Sequence, residues 1–270
     1  MNVLFIGGGN MADALIGGML KSGFSAAQLR VVEVDGAARR RLFEKYRVEC
    51  LAEARGAARP GEVVVFAVKP QQMQEATRFS GLKPNANLVV SIAAGITLTS
   101  LAGWLGGHAK LVRTMPNTPA LIGQGITGMF ALDGVSAAQK DAADGIMRAV
   151  GPTVWLNDEA LIDSVTAVSG SGPAYVFYFI EAMQQAALEL GLNAEQGTQL
   201  AIATFVGAAQ LAAQSPDPVS VLRERVTSKG GTTYAALSSM EQSGVKDGII
   251  RAMKAAAARG KELGEEFGQD

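Results

Sequence analysis

Little in this 270-residue chain offers acid–base or metal chemistry: it has one histidine, His108, and one cysteine, Cys50. No run of His, Cys, Asp or Glu has metal-ligand spacing, so no metal is expected. A lone cysteine cannot close an internal disulfide, which suits a reducing cytoplasm, and Cys50 is expected as a small buried hydrophobe. His108 lies in Gly106-Gly107-His108-Ala109, outside every motif described below, and is expected in a surface loop. An excess of charge is lacking too. With 24 Lys and Arg against 25 Asp and Glu, the net charge is −1, which gives no basic field for a nucleic acid. The apolar run 174–180 is short and bounded by Gly172-Pro173 and Glu181, so it cannot cross a bilayer. Met1 to Ile6 runs into glycines without a basic segment, so no signal peptide is expected. No internal repeat and no low-complexity tract is present.

What the chain has is glycine, 32 of them, and a 48% hydrophobic content that implies a substantial core. The length suits two domains. Val3–Ile6 is a short apolar run followed at once by Gly7-Gly8-Gly9-Asn10-Met11-Ala12, and apolar residues then recur at helical spacing to Leu20. Strand, glycine turn and helix in this order form the first unit of a dinucleotide-binding fold. Gly7 allows the tight turn, Gly9 lets a pyrophosphate approach, and Ala12 takes the small third position. A second strand, Leu29–Val34, carries Glu33, an acid placed to accept from the ribose hydroxyls of NAD and to repel a 2′-phosphate. Arg39-Arg40-Arg41 follows, either a phosphate ligand or a solvated helix face. These residues leave NADH and NADPH both open.

Further strands are expected at Val48–Leu51, Glu62–Val68, Leu88–Ile92, Lys110–Thr114, Gly125–Ala131 and Gly151–Leu156, with a helix over Ala137–Val150. Alternation with helices implies a parallel sheet covered on both faces, with ligands at the carboxyl ends of its strands. Ala67-Val68-Lys69-Pro70, Ala93-Ala94-Gly95 and Met115-Pro116-Asn117 all fall at such ends. Small residues at 93–95 leave room for a nicotinamide, or serve only close packing. Lys69 is a cofactor ligand or a solvent-exposed side chain.

From Glu159 onward only helices are expected, which divides the chain into 1–158 and 159–270. These helices cover Leu161–Val168, Ala174–Leu190, Ala194–Gln214, a short one through Arg225, Tyr234–Gln242 and Val245–Phe267, with a break at 169–173. They carry alanine around much of their circumference, so burial against a second copy is expected. Val226-Thr227-Ser228-Lys229-Gly230-Gly231-Thr232-Thr233 stands apart. Its two glycines and four hydroxyls suit a close-approach turn that receives an anion such as a carboxylate. The plainer use of the same residues is Thr232 or Thr233 capping a helix from Tyr234.

Taken in order, the motifs at 7–12, 67–70, 93–95, 115–119 and 226–233, with Ser169-Gly170-Ser171-Gly172-Pro173-Ala174-Tyr175, resemble pyrroline-5-carboxylate reductase over essentially the whole chain. The resemblance implies an α/β Rossmann-type parallel-sheet domain followed by an all-α dimerisation domain. It implies reduction of 1-pyrroline-5-carboxylate to L-proline by NADPH or NADH, and a homodimer through the C-terminal helices, often within a larger ring of dimers. It also places Ile6, Gly7, Gly8, Gly9, Asn10 and Met11, Ala67 to Pro70, and Ala93 to Gly95 along the cofactor, to which position at strand ends adds Glu33, Met115, Pro116 and Asn117. The resemblance places Thr232 and Thr233 at the substrate; from the residues themselves, the amides of Gly230, Gly231, Thr232 and Thr233 are expected to bind its carboxylate and Thr233 to be the catalytic hydroxyl at the ring nitrogen. Three residues depart from the family. Lys229 replaces a usual proline, Glu33-Val34 replaces polar or basic residues beside the 2′-phosphate, and Ala54 replaces an asparagine near the adenosine.

A protonated cyclic imine is already electrophilic, so such an enzyme chiefly aligns two rings. That agrees with a chain so poor in acid–base groups. The rivals are a two-domain hydroxyacid dehydrogenase or acyclic imine reductase, and a non-catalytic NAD(P)H-sensing subunit. Against the first, Ala174–Leu190 carries no lysine. Against the second, the Gly-Gly-Thr-Thr turn would have no ligand.

Overall fold

The computed structural model describes residues 1–268. It begins β1 (Val3–Ile6), α1 (Asn10–Lys21), β2 (Leu29–Val32), α2 (Gly36–Tyr46), β3 (Glu49–Leu51) and β4 (Val63–Phe66). Next come α3 (Met73–Ser80), β5 (Leu88–Ser91), α4 (Leu98–Trp104), β6 (Leu111–Met115), β7 (Thr127–Ala131), α5 (Ala137–Arg148) and β8 (Thr153–Trp155). The rest is helical: α6 (Leu161–Val165), α7 (Gly172–Glu189), α8 (Ala194–Gln214), α9 (Val219–Arg225), α10 (Thr232–Gln242) and α11 (Val245–Phe267). Two compact units emerge, one of Met1–Ser171 together with residues from Ala256 on, the other Gly172–Ala255.

In the first unit, eight strands form one sheet in the order β3-β2-β1-β4-β5-β6-β7-β8. The central strands are apolar throughout because both faces are covered. Val-Leu-Phe-Ile in β1 and Val-Val-Val-Phe in β4 are buried at every position. Phe5, Val31, Val65 and Val90 pack on one face with Leu15, Ile16 and Met19 of α1, while Val64, Phe66 and Val89 pack on the other with Leu98 and Leu101 of α4. Each such side chain contributes roughly 1.5–3 kcal/mol.

The expected wholly parallel sheet is corrected at one place: β7 runs antiparallel to β6, with Thr114 opposite Met129. The link between them holds a 3-10 turn, Thr118–Ile122, and no crossover helix. A parallel return needs a long crossover, so the chain doubles back. Asn117 fixes that link, donating from Nδ2 to Ser169 O (3.1 Å) and accepting at Oδ1 from Ile126 N–H (3.0 Å).

Two arginines are buried in the sheet. Arg30 of β2 reaches Glu62 (3.1 Å), Glu49 (3.0 Å) and the Ala57 carbonyl (2.8 Å). Arg113 of β6, 3% exposed, pairs with Glu159 (3.0 Å) and Asp163 (3.5 Å). Glu159 also accepts the Leu98 N–H at 2.7 Å, tying the starts of α4 and α6 to β6. The end of α11 completes this unit. Phe267 packs on the α4 side of the sheet, and a Cβ at Gly264 would stand 3.0 Å from the Gly95 carbonyl oxygen.

The break expected at 169–173 is also corrected. A π-helical turn, Thr166–Gly170, extends α6, and α7 begins at Gly172. In the second unit, α7 and α8 pair through Phe179 and Phe205 (ring centroids 6.4 Å apart) and through Gln184 Nε2 donating to Thr198 Oγ1 (2.9 Å). The core is thin. In α8 only Gly197 and Ala201 are buried, and α7, α9 and α10 bury no residue. Phe177 is 60% exposed, Tyr178 73% and Leu200 56%.

Two expectations about reactive side chains are revised. Cys50 is only partly buried, since it lies on the edge strand β3. His108, placed in a surface loop by its glycine neighbours, is 1% exposed. The reason is a polar clasp: Nδ1 accepts the Asn85 N–H (3.1 Å) and Nε2 faces the Asn87 carbonyl (2.9 Å). The ring is therefore the neutral Nε2–H tautomer. Burial lowers its pKa from the ordinary 6.5, partly opposed by the bond to Asn87. A lowered histidine contributes stability that is present above the unfolded-chain value and lost as pH falls below it. Thermal melts should accordingly show a midpoint that drops as pH is taken from 7.5 to 5. H108Q should be less stable at neutral pH and show a flatter pH dependence over that range.

Candidate active site

The carboxyl ends of β1, β2 and β4 converge on one cavity. Gly7 turns the chain out of β1 at φ +103°, a region open to glycine, and a Cβ there would stand 2.6 Å from the Ala67 carbonyl oxygen. Gly9 is the N-cap of α1 and supplies no side-chain hydrogen bond, and a Cβ there would meet nothing within 4 Å. The first turn of α1 thus presents uncapped amides at the positive end of a helix, a site made for a phosphate. Glu33 lies just past the end of β2. Its Oε2 accepts the Gly8 N–H (2.8 Å) and its Oε1 the Asp35 N–H (2.9 Å).

The cavity, about 780 Å³, is lined by Ile6, Gly7, Gly8, Gly9, Glu33, Ala67, Val68 and Lys69, among others. These residues, separate in sequence, are brought together. Ala54 lies on the same wall, and Lys69 is solvent-exposed. The reading of the sequence missed Glu53 and Arg55 in the loop after β3, and Glu75 and Phe79 on α3, all of which also line the cavity. The one signal available was Phe79, an aromatic on the outer side of a short helix and 50% exposed.

Asn10, Met11, Pro70, Ala93, Ala94, Gly95, Met115, Pro116 and Asn117 are not among the lining residues of that cavity. Asn10 and Met11 open α1, and Pro70 opens a 3-10 turn after β4. Ala93 is buried at 3%. Gly95, at φ +75°, faces the backbone of α11, where a Cβ would lie 3.3 Å from Leu263 Cβ. Met115 backs onto Gly170, and both polar atoms of the Asn117 side chain are committed to the β6–β7 link.

In the second unit, the hydroxyl-rich turn leads into α10. Neither threonine caps this helix: it begins at Thr232, and Gly231 is its N-cap without a side-chain hydrogen bond. Gly230 has φ +74° with open space around it, and Gly231 N–H donates to the Ser228 carbonyl (3.0 Å). Thr227 Oγ1 donates to Arg223 O (2.6 Å), while Lys229 and Thr232 are exposed and Thr233 is half-buried. Here too a helix N-terminus is left without a capping side chain, beside a lysine. Among the described residues, no group of His, Cys, Asp and Glu could hold a metal, and no helix is long and apolar enough to cross a membrane.

Comparison with known proteins agrees with these two halves. The family model for pyrroline-5-carboxylate reductase dimerisation matches residues 159–263, and that for NADP oxidoreductase, coenzyme F420-dependent, matches 2–95. The pyrroline-5-carboxylate reductase of Pseudomonas aeruginosa is 45% identical over 99% of this chain and 98% of its own length. That of Haemophilus influenzae is 41% identical over 97% of both. Among solved structures, the Coxiella burnetii reductase superposes with a TM-score of 0.90 at 40% identity, over 97% of this chain and 98% of that one. The Plasmodium falciparum enzyme, solved with NADP bound, gives 0.87 at 28% identity, over 98% of each. The chain belongs to the pyrroline-5-carboxylate reductase family, NAD(P)H-dependent oxidoreductases that make L-proline from 1-pyrroline-5-carboxylate in the last step of proline biosynthesis.

Proposed function

We propose that the two uncapped helix N-termini divide the work of this reductase. The start of α1, with Ile6 to Met11, holds the dinucleotide pyrophosphate. The start of α10, with Gly230 to Thr233, holds the substrate carboxylate. The observation that carries this reading is the repeated arrangement of a left-handed glycine and a glycine cap without a side-chain partner, at Gly7/Gly9 and at Gly230/Gly231. Ala67 to Pro70, Ala93 to Gly95 and Met115 to Asn117 border the rest of the cofactor. The functional division then falls between residues 158 and 159, where the dimerisation match also begins.

The nicotinamide, when bound, supplies the hydride, and the chain supplies position. Backbone amides of Thr232 and Thr233 orient the ring through its carboxylate, with Lys229 adding a positive charge. Thr233 Oγ1 accepts from the protonated ring nitrogen, fixing which ring atom faces the donor. No histidine takes part, since His108 is already bound at both ring nitrogens.

The exposed apolar side chains of α7 and α8 support a homodimer through Gly172–Ala255, and the resemblance to the family extends this to a ring of dimers. A free thiol at Cys50 and a charge near neutrality suit a cytoplasmic enzyme acting on a small molecule, without nucleic acid or membrane as partner.

Three measurements test this reading. Thr233→Val should lower kcat/KM for pyrroline-5-carboxylate by about 1–3 kcal/mol of transition-state binding, leaving nucleotide affinity in place. An unchanged kcat/KM removes Thr233 from the mechanism. Gly7→Ala forces a Cβ against Ala67 and strains the turn by about 1–3 kcal/mol, so nucleotide affinity in calorimetry and the thermal midpoint should both fall. Phe177→Glu should shift the sedimentation coefficient toward that of a monomer, and wild-type behaviour would take α7 out of the interface.

A further inference from the structure

We infer that Glu33 makes this enzyme select NADH over NADPH; the inference rests on the cofactor site proposed above. Glu33 follows β2 directly, at the carboxyl end of the strand beside β1, where the outer ribose of a dinucleotide is read. Two backbone N–H groups, from Gly8 and Asp35, each hold one of its carboxylate oxygens at 2.8 and 2.9 Å. A carboxylate has about four acceptor positions, so about two remain for the two hydroxyls of a ribose. The glycine at position 8 is part of this arrangement: a Cβ there would stand 3.2 Å from both Glu33 Cβ and Oε2.

A 2′-phosphate adds about −1.5 to −2 charge at neutral pH, by analogy with other phosphate esters, and it would meet this fixed negative group. The neighbouring cations do not compensate. Arg39 spends Nη1 on the carbonyls of Glu33 (2.6 Å) and Val34 (2.8 Å), and none of Arg39, Arg40 and Arg41 lines the cavity. The arginine run is thus a brace for the Glu33 turn and an outer helix face. The cavity wall holds three carboxylates, Glu33, Glu53 and Glu75, against two cations, Arg55 and Lys69. Val34, 81% exposed, offers a phosphate no donor side chain.

The test compares both nucleotides on the wild-type protein and on Glu33→Gln and Glu33→Ser. Dissociation constants come from calorimetry and kcat/KM from oxidation of each nucleotide with pyrroline-5-carboxylate. The wild type should bind NADH at least roughly tenfold more tightly than NADPH, the scale of one charged hydrogen bond. Both variants should weaken NADH and strengthen NADPH, bringing the ratio toward or below one. Glu33→Gln keeps the size and one carbonyl acceptor, so it separates loss of charge from loss of the fold, which a thermal melt records. A wild type that prefers NADPH, or a ratio that both folded variants leave unchanged, overturns the inference while the reductase reading stands. Clear nucleotide binding with no turnover of pyrroline-5-carboxylate would instead sink the site proposed for the substrate, and the nucleotide ratio would still decide the role of Glu33.

Discussion

The nucleotide half of the molecule depends on one close approach of backbone to backbone. The turn leaving β1 sits so near the Ala67 carbonyl that no side chain fits at Gly7. That contact sets where α1 begins and therefore where its free amides point. It also brings Gly8 within reach of Glu33, so one steric fact controls both the start of α1 and the placement of the Glu33 carboxylate. A helix start placed a fraction of an ångström further out would keep its dipole and lose its aim. The surrounding core supplies the rigidity: β1 and β4, buried at every residue, cannot slide without opening both faces of the sheet.

Positioning by backbone also explains how a chain so poor in acid–base side chains can reduce an imine. Its electrostatics are those of amides at helix starts and of a few fixed carboxylates. The strongly buried charges serve elsewhere. Arg113, Glu159 and Asp163 bind α4 and α6 to β6, and Arg30 closes the far edge of the sheet with Glu62 and Glu49. Removing Glu62, buried like its partner Arg30, leaves a buried guanidinium undercompensated, at a cost of about 3–5 kcal/mol. These networks tie β6 to the starts of α4 and α6 and β2 to its neighbours at the sheet edge.

Where local chemistry decides the outcome, the sequence was legible. The unbroken apolar run of β1, the glycines after it and the acid after β2 read as a dinucleotide cradle because their spacing is set within one strand–turn–helix unit. Glu33 was singled out that way, Ala67 and Lys69 by their place at the end of another strand, and all three line the cavity. What escaped depends on distant partners. His108 looks like a loop residue beside two glycines, yet Asn85 and Asn87 enclose it. Asn117, at a strand end, reads as a ligand contact, and nothing near it in sequence shows that its amide also spans from Ser169 to Ile126. The reversed direction of β7 follows from a link without a crossover helix, which composition alone does not reveal. Thr232 was open to two uses, anion-receiving turn or helix cap, and the helix start at Thr232 with Gly231 as its cap removes the second.

The last turns of α11 lie against the Gly95 turn and the start of α4. A growing polypeptide emerging from the ribosome therefore cannot finish its nucleotide half when residue 171 appears. It must wait until all the intervening helices have been synthesised. The first half would meanwhile expose the apolar edge that Phe267 later covers, and a premature stop within α11 would leave a sheet that is assembled but unsealed.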